Sequence, residues 1–132
     1  MREILFKAKR LDNGEWVQGD LIQDKDLDIV SIIGWNYSII GWDYFNGENG
    51  LEREPFEYQV DPSTVCQYTG KEDKNGVKIF EGDICENDWN IYEIIHIDYL
   101  CCMYAKVQKS KEIISLDGFL ASRCEVIGNI HD

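Results

Sequence analysis

At 132 residues with 44% hydrophobic content, the chain is long enough to form one domain with its own core, and its composition excludes a disordered chain. Its 13 basic and 25 acidic residues give a net charge of −12, and its longest basic cluster is Lys7–Arg10, so binding to the phosphate backbone of nucleic acid is disfavoured. A basic partner protein, or solubility alone, fits this charge better.

The first half of the chain is predicted to consist of short strands. Ile4–Lys9 and Glu15–Ile22 flank Asn13-Gly14, and Asn-Gly between two apolar runs is typical of a tight hairpin turn. Asp61-Pro62-Ser63 predicts a boundary, because proline lacks a backbone donor and favours an extended residue before it. This gives a β-rich N-terminal subdomain of residues 1–62, with further strands at Leu27–Ile33, Ser38–Phe45 and Phe56–Val60 and a charged connector at Leu51–Pro55.

The second half, residues 63–132, is also predicted to be mainly β. Strands spaced about every ten residues, with turn signals between them, indicate a small barrel or sandwich. Only Ser63–Gln67 and Ser122–Glu125 have the pattern of single helical turns. The predicted strands are Val65–Thr69, Trp89–Asp98, Cys101–Val107, Glu112–Leu116 and Cys124–Ile130.

The segment Ile32–Phe45 contains nearly the same motif twice, Ile-Ile-Gly-Trp-Asn-Tyr and then Ile-Ile-Gly-Trp-Asp-Tyr. On one continuous strand, Trp35 and Trp42 would lie on opposite faces, because their spacing of seven is odd. A hairpin near Asn36–Ser38 would instead place the two motifs on neighbouring strands. We interpret the segment as core and self-association surface, with a ligand-stacking surface as the alternative. The candidate interface residues are Trp35, Tyr37, Trp42 and Tyr44.

The cysteines do not predict a disulfide framework. Their number is odd, no Cys-x-x-Cys occurs, and two are adjacent. The chain also lacks an apolar run of 18 residues and the pattern of a signal peptide, so we expect a cytoplasmic protein with no membrane segment. The five cysteines are Cys66, Cys85, Cys101, Cys102 and Cys124.

The central run Gln67–Ile84, with its "QYTG", "DKNG" and "IFEGDI" pieces, strongly resembles the YopX family of phage and prophage proteins. Met1–Leu21 and Glu125–Asp132 extend the resemblance to about half of the chain. The resemblance implies a mostly β protein with an SH3-like barrel in the C-terminal half, encoded by phage or prophage of Gram-positive bacteria. It implies no catalytic residues. The family-motif residues, expected to be structural, are Gln67, Tyr68, Thr69, Gly70, Asn75, Gly76, Gly82, Asp83 and Gly128.

Four patterns resemble phosphate-binding, metal-binding or catalytic motifs, but each is better explained by a structural role. Gly70-Lys71 is not a phosphate loop, because Glu72 replaces the required Ser or Thr. Asp24–Asp28 has alternating carboxylates but lacks the glycine and glutamate of a calcium loop. His96 with Cys101-Cys102 lacks a recognised zinc spacing, so reduced, buried cysteines are expected. Gly82-Asp83 fits a bend with a bracing carboxylate rather than a catalytic acid.

The sequence therefore favours a non-enzymatic, self-associating interaction protein that uses neither cofactor nor metal and binds an unknown host or phage protein. The alternative is a nucleic-acid-directed protein, either a binder of single strands or an acidic mimic of DNA. A small hydrolase or metalloenzyme is a third hypothesis, which would require a convergent set of catalytic or ligating side chains.

Overall fold

The computed structural model describes residues 3–43, 48–97 and 102–132, and these residues form two antiparallel sheets. One 3₁₀ turn lies at Pro62–Thr64, and one short helix, α1, at Gly118–Ala121. The strands are β1 Phe6–Lys9, β2 Trp16–Asp24, β3 Ile29–Asp43, β4 Glu48–Gln59, β5 Cys66–Glu72, β6 Lys78–Phe80, β7 Asp83–Glu86, β8 Ile91–Ile97, β9 Cys102–Val107, β10 Ile113–Ser115 and β11 Glu125–Asn129.

The first sheet has the strand order β4-β3-β2-β1-β5-β6. Its β1–β2 hairpin turns at the predicted Asn13-Gly14, where Gly14 has a φ of 72° that glycine adopts without strain. Gly19 is required by a close approach between strands, because a Cβ there would overlap the carbonyl oxygen of Ile33. The sheet continues past the predicted boundary at Pro62, since β1 pairs with β5 through Phe6 and Gln67. The division into residues 1–62 and 63–132 stays a prediction.

The second sheet has the order β10-β9-β8-β7-β11. Its core consists of inward-facing residues of the sheet together with Leu116, Ala121 and Cys124, which lie on and beside α1. Ile79 of the first sheet is buried in the same cluster, so the two sheets share this core. A smaller cluster in the first sheet is centred on Ala8 and Ile32.

The predicted mainly β class is confirmed, but the described strands form no closed barrel. Strands β10 and β11 lie at opposite edges of their sheet, and no ladder joins them within the described residues. Cover for the core comes instead from the α1 segment, whose apolar residues pack onto the sheet face. The SH3-like character of the C-terminal half stays a prediction.

Three local predictions need correction. Leu51–Pro55 is not a connector but part of β4, an edge strand in which proline is tolerated. The helical turn near Ser122 lies earlier, at Gly118–Ala121, because Asp117 caps it by accepting a hydrogen bond from the Leu120 amide at 2.8 Å. Ser63–Gln67 is a 3₁₀ turn only at its start and enters β5 at Cys66.

In the described part of the chain, no helix has the length and apolar character needed to span a membrane.

Candidate interaction surface

Strands β3 and β4 extend beyond the rest of the first sheet as a two-stranded ribbon. Strand β3 pairs with β2 only over Ile29–Ile33, whereas its ladder with β4 runs on to Asp43. In the described residues, no third strand pairs with this extension. We call residues 34–43 and 48–56 the arm.

A β-bulge in the arm changes how its two tryptophans are arranged. The ladder pairs Trp35 with Pro55 and Ile39 with Leu51. After a shift of one residue it resumes with Gly41 opposite Gly50, so that Trp42 lies opposite Asn49. Positions 55, 51 and 49 on β4 are separated by even numbers and therefore lie on one face of the ribbon. Trp35 and Trp42 consequently occupy register positions of the same face, because the bulge at 39–41 adds one residue to β3. The prediction that they lie on opposite faces is wrong, since it assumed an uninterrupted ladder.

This register makes the arm amphipathic. One face, which we call the apolar face, includes both tryptophan positions, and the opposite face is polar and acidic. The same composition on an unbulged ribbon would distribute aromatic positions over both sides. The apolar face comprises Trp35, Tyr37, Ile39, Trp42, Asn49, Leu51, Arg53 and Pro55; the opposite face comprises Gly34, Asn36, Ser38, Gly41, Asp43, Glu48, Gly50, Glu52, Glu54 and Phe56.

Side chains at the base of the arm show which way the apolar face lies. The Phe56 ring covers Gly34 and packs with Ile32 in the core, where a Cβ on Gly34 would meet the ring at 2.5 Å. Trp35 lies on the other side of the sheet and is 48% exposed, with the Arg53 guanidinium 4.4 Å from its ring centre. The apolar face is thus on the side of the sheet opposite to the chain's own Ile32 core.

Of the four candidate interface residues, the structure brings three positions together. Trp35, Tyr37 and Trp42 lie on β3 at register positions of the apolar face. Tyr44 lies outside the described residues.

The motif carboxylate Asp83 is at the centre of a buried network between the two sheets. Its Oδ1 accepts hydrogen bonds from Lys7 Nζ at 2.8 Å and Asn129 Nδ2 at 2.9 Å, and its Oδ2 accepts the Phe80 amide at 2.7 Å. The Lys7 ammonium also lies 4.7 Å from the Trp16 ring centre. Because Asp83 is fully buried and both oxygens are engaged, these contacts suit a bracing role better than proton transfer to a substrate.

A second buried carboxylate, Asp73, was missed by the sequence reasoning. Its Oδ1 accepts the amides of Asn75 and Val77 at 2.8 and 2.9 Å, and its Oδ2 accepts the Val126 amide at 2.9 Å. The Asp-x-Asn-Gly pattern before Val77 is a signal for such a side-chain-stabilised turn, and Gly76 supplies the φ of 77°. Asp73 therefore fastens a turn of the first sheet to β11 of the second.

The remaining motif residues also make structural contacts. Thr69 Oγ1 donates to the Ile79 carbonyl at 2.7 Å, and the rings of Tyr68 and Phe80 lie 5.5 Å apart. The Gln67 carbonyl accepts the Glu81 amide at 2.9 Å. Besides Gly76, the other three motif glycines also lie at irregular backbone: Gly70 and Gly82 have φ values of 86° and 83°, and Gly128 follows a register shift in β11.

Cys66, Cys85 and Cys124 are buried in the core. Burial raises the pKa of the Cys66 thiol to about 11 and that of Cys85 to about 12, and it raises the pKa of Cys124. Thiols with such pKa values stay protonated at neutral pH and are poor nucleophiles. Cys101 lies outside the described residues, and within those residues no three His, Cys, Asp or Glu side chains are placed to hold a metal ion.

Comparison with known families matches residues 5–132 to the model of the YopX protein family. The chain belongs to the YopX family. The match covers nearly the whole chain, including the arm. Among solved structures, protein EF1440 from Enterococcus faecalis is similar with a TM-score of 0.59 and 24% identity, over 99% of this chain and 95% of that one. This likeness concerns the fold alone. A comparison with curated proteins finds no match.

Strand β2 is also joined to the C-terminal residue, and this contact predicts a pH dependence. The Trp16 indole donates to Asp132 Oδ1 at 2.9 Å, which lowers the pKa of the Asp132 carboxyl. A lowered folded-state pKa stabilises the protein above the unfolded value of about 3.9, and this stabilisation is lost as the pH falls through the folded value. We expect the difference in free energy of unfolding between wild type and Asp132→Asn to shrink below about pH 5.

Urea titrations of both proteins from pH 7 to pH 2 measure this difference. In Trp16→Phe, the pKa of Asp132 followed by NMR should rise toward its ordinary value. A difference between wild type and Asp132→Asn that is constant over the whole pH range would contradict the expectation.

Proposed function

We propose that this YopX-family protein is a non-enzymatic interaction module that self-associates through the apolar face of its arm. The observation that supports this most directly is the bulge in β3, which gives Trp35 and Trp42 register positions on the same face of the ribbon, opposite to the face of the Ile32 core. A two-stranded ribbon is marginally stable in water without further packing. The apolar face of such a ribbon is therefore expected to pack against a surface that the chain's own core does not provide.

A second copy of the chain suits this surface in charge. The only ionised side chain on the apolar face is Arg53, which already lies over the Trp35 ring. The acidic residues of the arm occupy the opposite face, so packing two apolar faces together keeps these like charges apart. Two ribbons packed face to face would form the two layers of a small sandwich.

Pairing through the free edge of β4 is a less suitable mode of association. Pro55 lacks an amide hydrogen, and Glu52, Glu54 and Glu57 add charge along the same strand. Both features are typical of edges that resist strand addition. The proposal therefore concerns the face of the arm and not its edge.

Within this proposal, the protein serves phage or prophage in the cytoplasm of a bacterial host, and the assembled form binds a host or phage protein. The family membership supports the phage setting, and the net charge of −12 favours a basic protein over nucleic acid as that partner.

The self-association is tested by Trp35→Ala/Trp42→Ala. Because buried tryptophans are frequent hot spots of interfaces, we expect the variant to associate at least about tenfold more weakly than wild type. Sedimentation equilibrium between 1 and 100 μM measures the constant. The matched control is Asn36→Ala/Ser38→Ala on the opposite face of the same strand, which should associate like wild type.

The role of the bulge is tested by two changes that remove it in different ways. Deleting Ile40 removes the extra residue while Trp42 keeps its face, so association should persist. Inserting one alanine between Gly50 and Leu51 gives Ile40 a partner and moves Trp42 to the other face, so association should weaken. A monomeric wild type at 100 μM, or equal association of these two variants, would refute the proposal.

A further inference from the structure

Strand β10 forms an exposed edge of the second sheet. It pairs with β9 on one side, and within the described residues no strand pairs with its other side. All three of its residues are exposed, including Ile113 at 50% and Ile114 at 36%. Unlike the free edge of β4, this strand contains neither a proline nor a charged residue. It therefore lacks the two features by which β4 resists strand addition.

The hydrogen bonds to β9 determine which backbone groups of β10 face outward. The Val107 amide donates to the Glu112 carbonyl at 2.8 Å, so Glu112 directs its carbonyl toward β9. Because the backbone groups of successive residues alternate between the two sides of a strand, Ile114 also faces β9, whereas Ile113 and Ser115 face away from it. The free edge thus presents the amides and carbonyls of Ile113 and Ser115.

These outward groups are complementary to those of a second copy of the chain. In an antiparallel pair centred on Ile114, Ile113 of each copy lies opposite Ser115 of the other copy, and every outward amide meets an outward carbonyl. Centring the pair on Ile113 or Ser115 leaves residues of β10 without a partner in the other β10. Centring it between two residues places outward groups opposite residues that face β9. Only the register about Ile114 pairs the whole strand.

The side chain of Ile114 provides an apolar contact in the same register. Ile114 lies opposite the fully buried Ala105 and therefore on the core face of the sheet, yet it remains partly exposed because no strand follows β10 there. On the two-fold axis, Ile114 of one copy would pack directly against Ile114 of the other. Cross-strand contacts between β-branched side chains stabilise such pairs.

The charges on either side of β10 in the chain also suit a second copy. They sum to zero in a protein of net charge −12, so two molecules repel each other less here than at an acidic surface. In the register about Ile114, Lys111 of each copy lies opposite Asp117 of the other. Neither residue belongs to an ion pair within residues 3–43, 48–97 and 102–132. The four flanking charges are Lys109, Lys111, Glu112 and Asp117.

We propose that the β10 edges of two copies pair antiparallel about an axis at Ile114 and join their second sheets into one continuous sheet. This contact is separate from the arm and does not depend on the function proposed for it. Because each chain contributes only three strand residues, we expect a dissociation constant on the order of 0.1–1 mM. A dimer formed through the arm would carry two such edges, so the two contacts together would link dimers into longer assemblies.

The test uses the full chain with Trp35→Ala/Trp42→Ala, which weakens the arm contact and leaves β10 intact. Sedimentation equilibrium extended to about 1 mM should show a dimer. In NMR spectra of the same samples, the amide resonances of Ile113 and Ser115 should shift as the concentration rises. The Ile114 amide, which faces β9, is the internal control and should shift less.

Two further substitutions in this variant test the pairing itself. Ile113→Pro removes an outward amide without removing a hydrogen bond to β9, so association should weaken at least about tenfold while the fold is kept. Lys111→Gln should weaken association about twofold to fivefold through loss of the contact with Asp117. Its matched control is Lys109→Gln, which removes the same charge from the same turn and should associate like the parent variant.

Three results would overturn the proposal. One is a parent variant that stays monomeric at about 1 mM. Another is a folded Ile113→Pro protein that associates as strongly as its parent. The third is an equal effect of Lys111→Gln and Lys109→Gln. A wild type that is monomeric at 100 μM, but whose Ile113 and Ser115 resonances shift at higher concentration, would refute the arm and support this edge.

Discussion

Replacing Asp83 with alanine is expected to lower the free energy of unfolding by about 3–5 kcal/mol, because it leaves the ammonium of Lys7 buried without its partner. The Asp83 side chain is fully buried, and that of Lys7 is 13% exposed. The variant would also leave the Phe80 amide and the Asn129 side-chain amide without an acceptor. Urea unfolding followed by tryptophan fluorescence measures the change.

A second variant separates the ion pair from the hydrogen bonds. In Lys7→Met/Asp83→Asn both charges are absent and an acceptor for Phe80 remains, so this protein should be more stable than Asp83→Ala. The exposed Asp26→Ala is the control and should change stability by less than about 0.5 kcal/mol. Equal stability of Asp83→Ala and Asp26→Ala would contradict the assigned network.

Replacing Asp73 with alanine is expected to cost about 3 kcal/mol, because three backbone amides lose a charged acceptor at once. Two of these amides, Asn75 and Val77, belong to the turn before β6. The third, Val126, lies in β11, so the variant should also loosen the contact between the two sheets. Hydrogen exchange of the Val126 amide reports this contact directly, and it should become faster.

Asp73→Asn provides the matched comparison for this site. Its remaining oxygen can still accept from Asn75 and Val77, but the amide group cannot accept from Val126. We expect a loss between those of wild type and Asp73→Ala. Unchanged exchange at Val126 in both variants would show that Asp73 does not join the sheets.

Local turn chemistry could be read from the sequence, because the residues that determine it are neighbours in the chain. Asn13-Gly14 predicted the first hairpin, and strands spaced about every ten residues with turn signals between them predicted a mainly β chain. Asp117 before the α1 segment was an available signal for a helix start that the sequence reasoning did not use.

Features that depend on a distant strand could not be read in this way. The faces of the arm are set by where β4 pairs with β3, so the bulge at 39–41 has no signature within β3 alone. The contact of Lys7 with Asp83 joins residues 76 positions apart, a separation at which no periodicity indicates a pair. Leu51–Pro55 was misread for a related reason, since only the ladder with β3 makes this charged segment a strand.

The network around Asp83 has a consequence for how the protein reaches its native state. Lys7 leaves the ribosome long before Asp83, and Asn129 follows 46 residues after it. The nascent chain must therefore keep this carboxylate partly hydrated until translation has passed Asn129. Contacts of such long sequence separation form late and slow the folding reaction. The two sheets are accordingly expected to become fully ordered together, once Asn129 can reach the carboxylate, rather than one after the other.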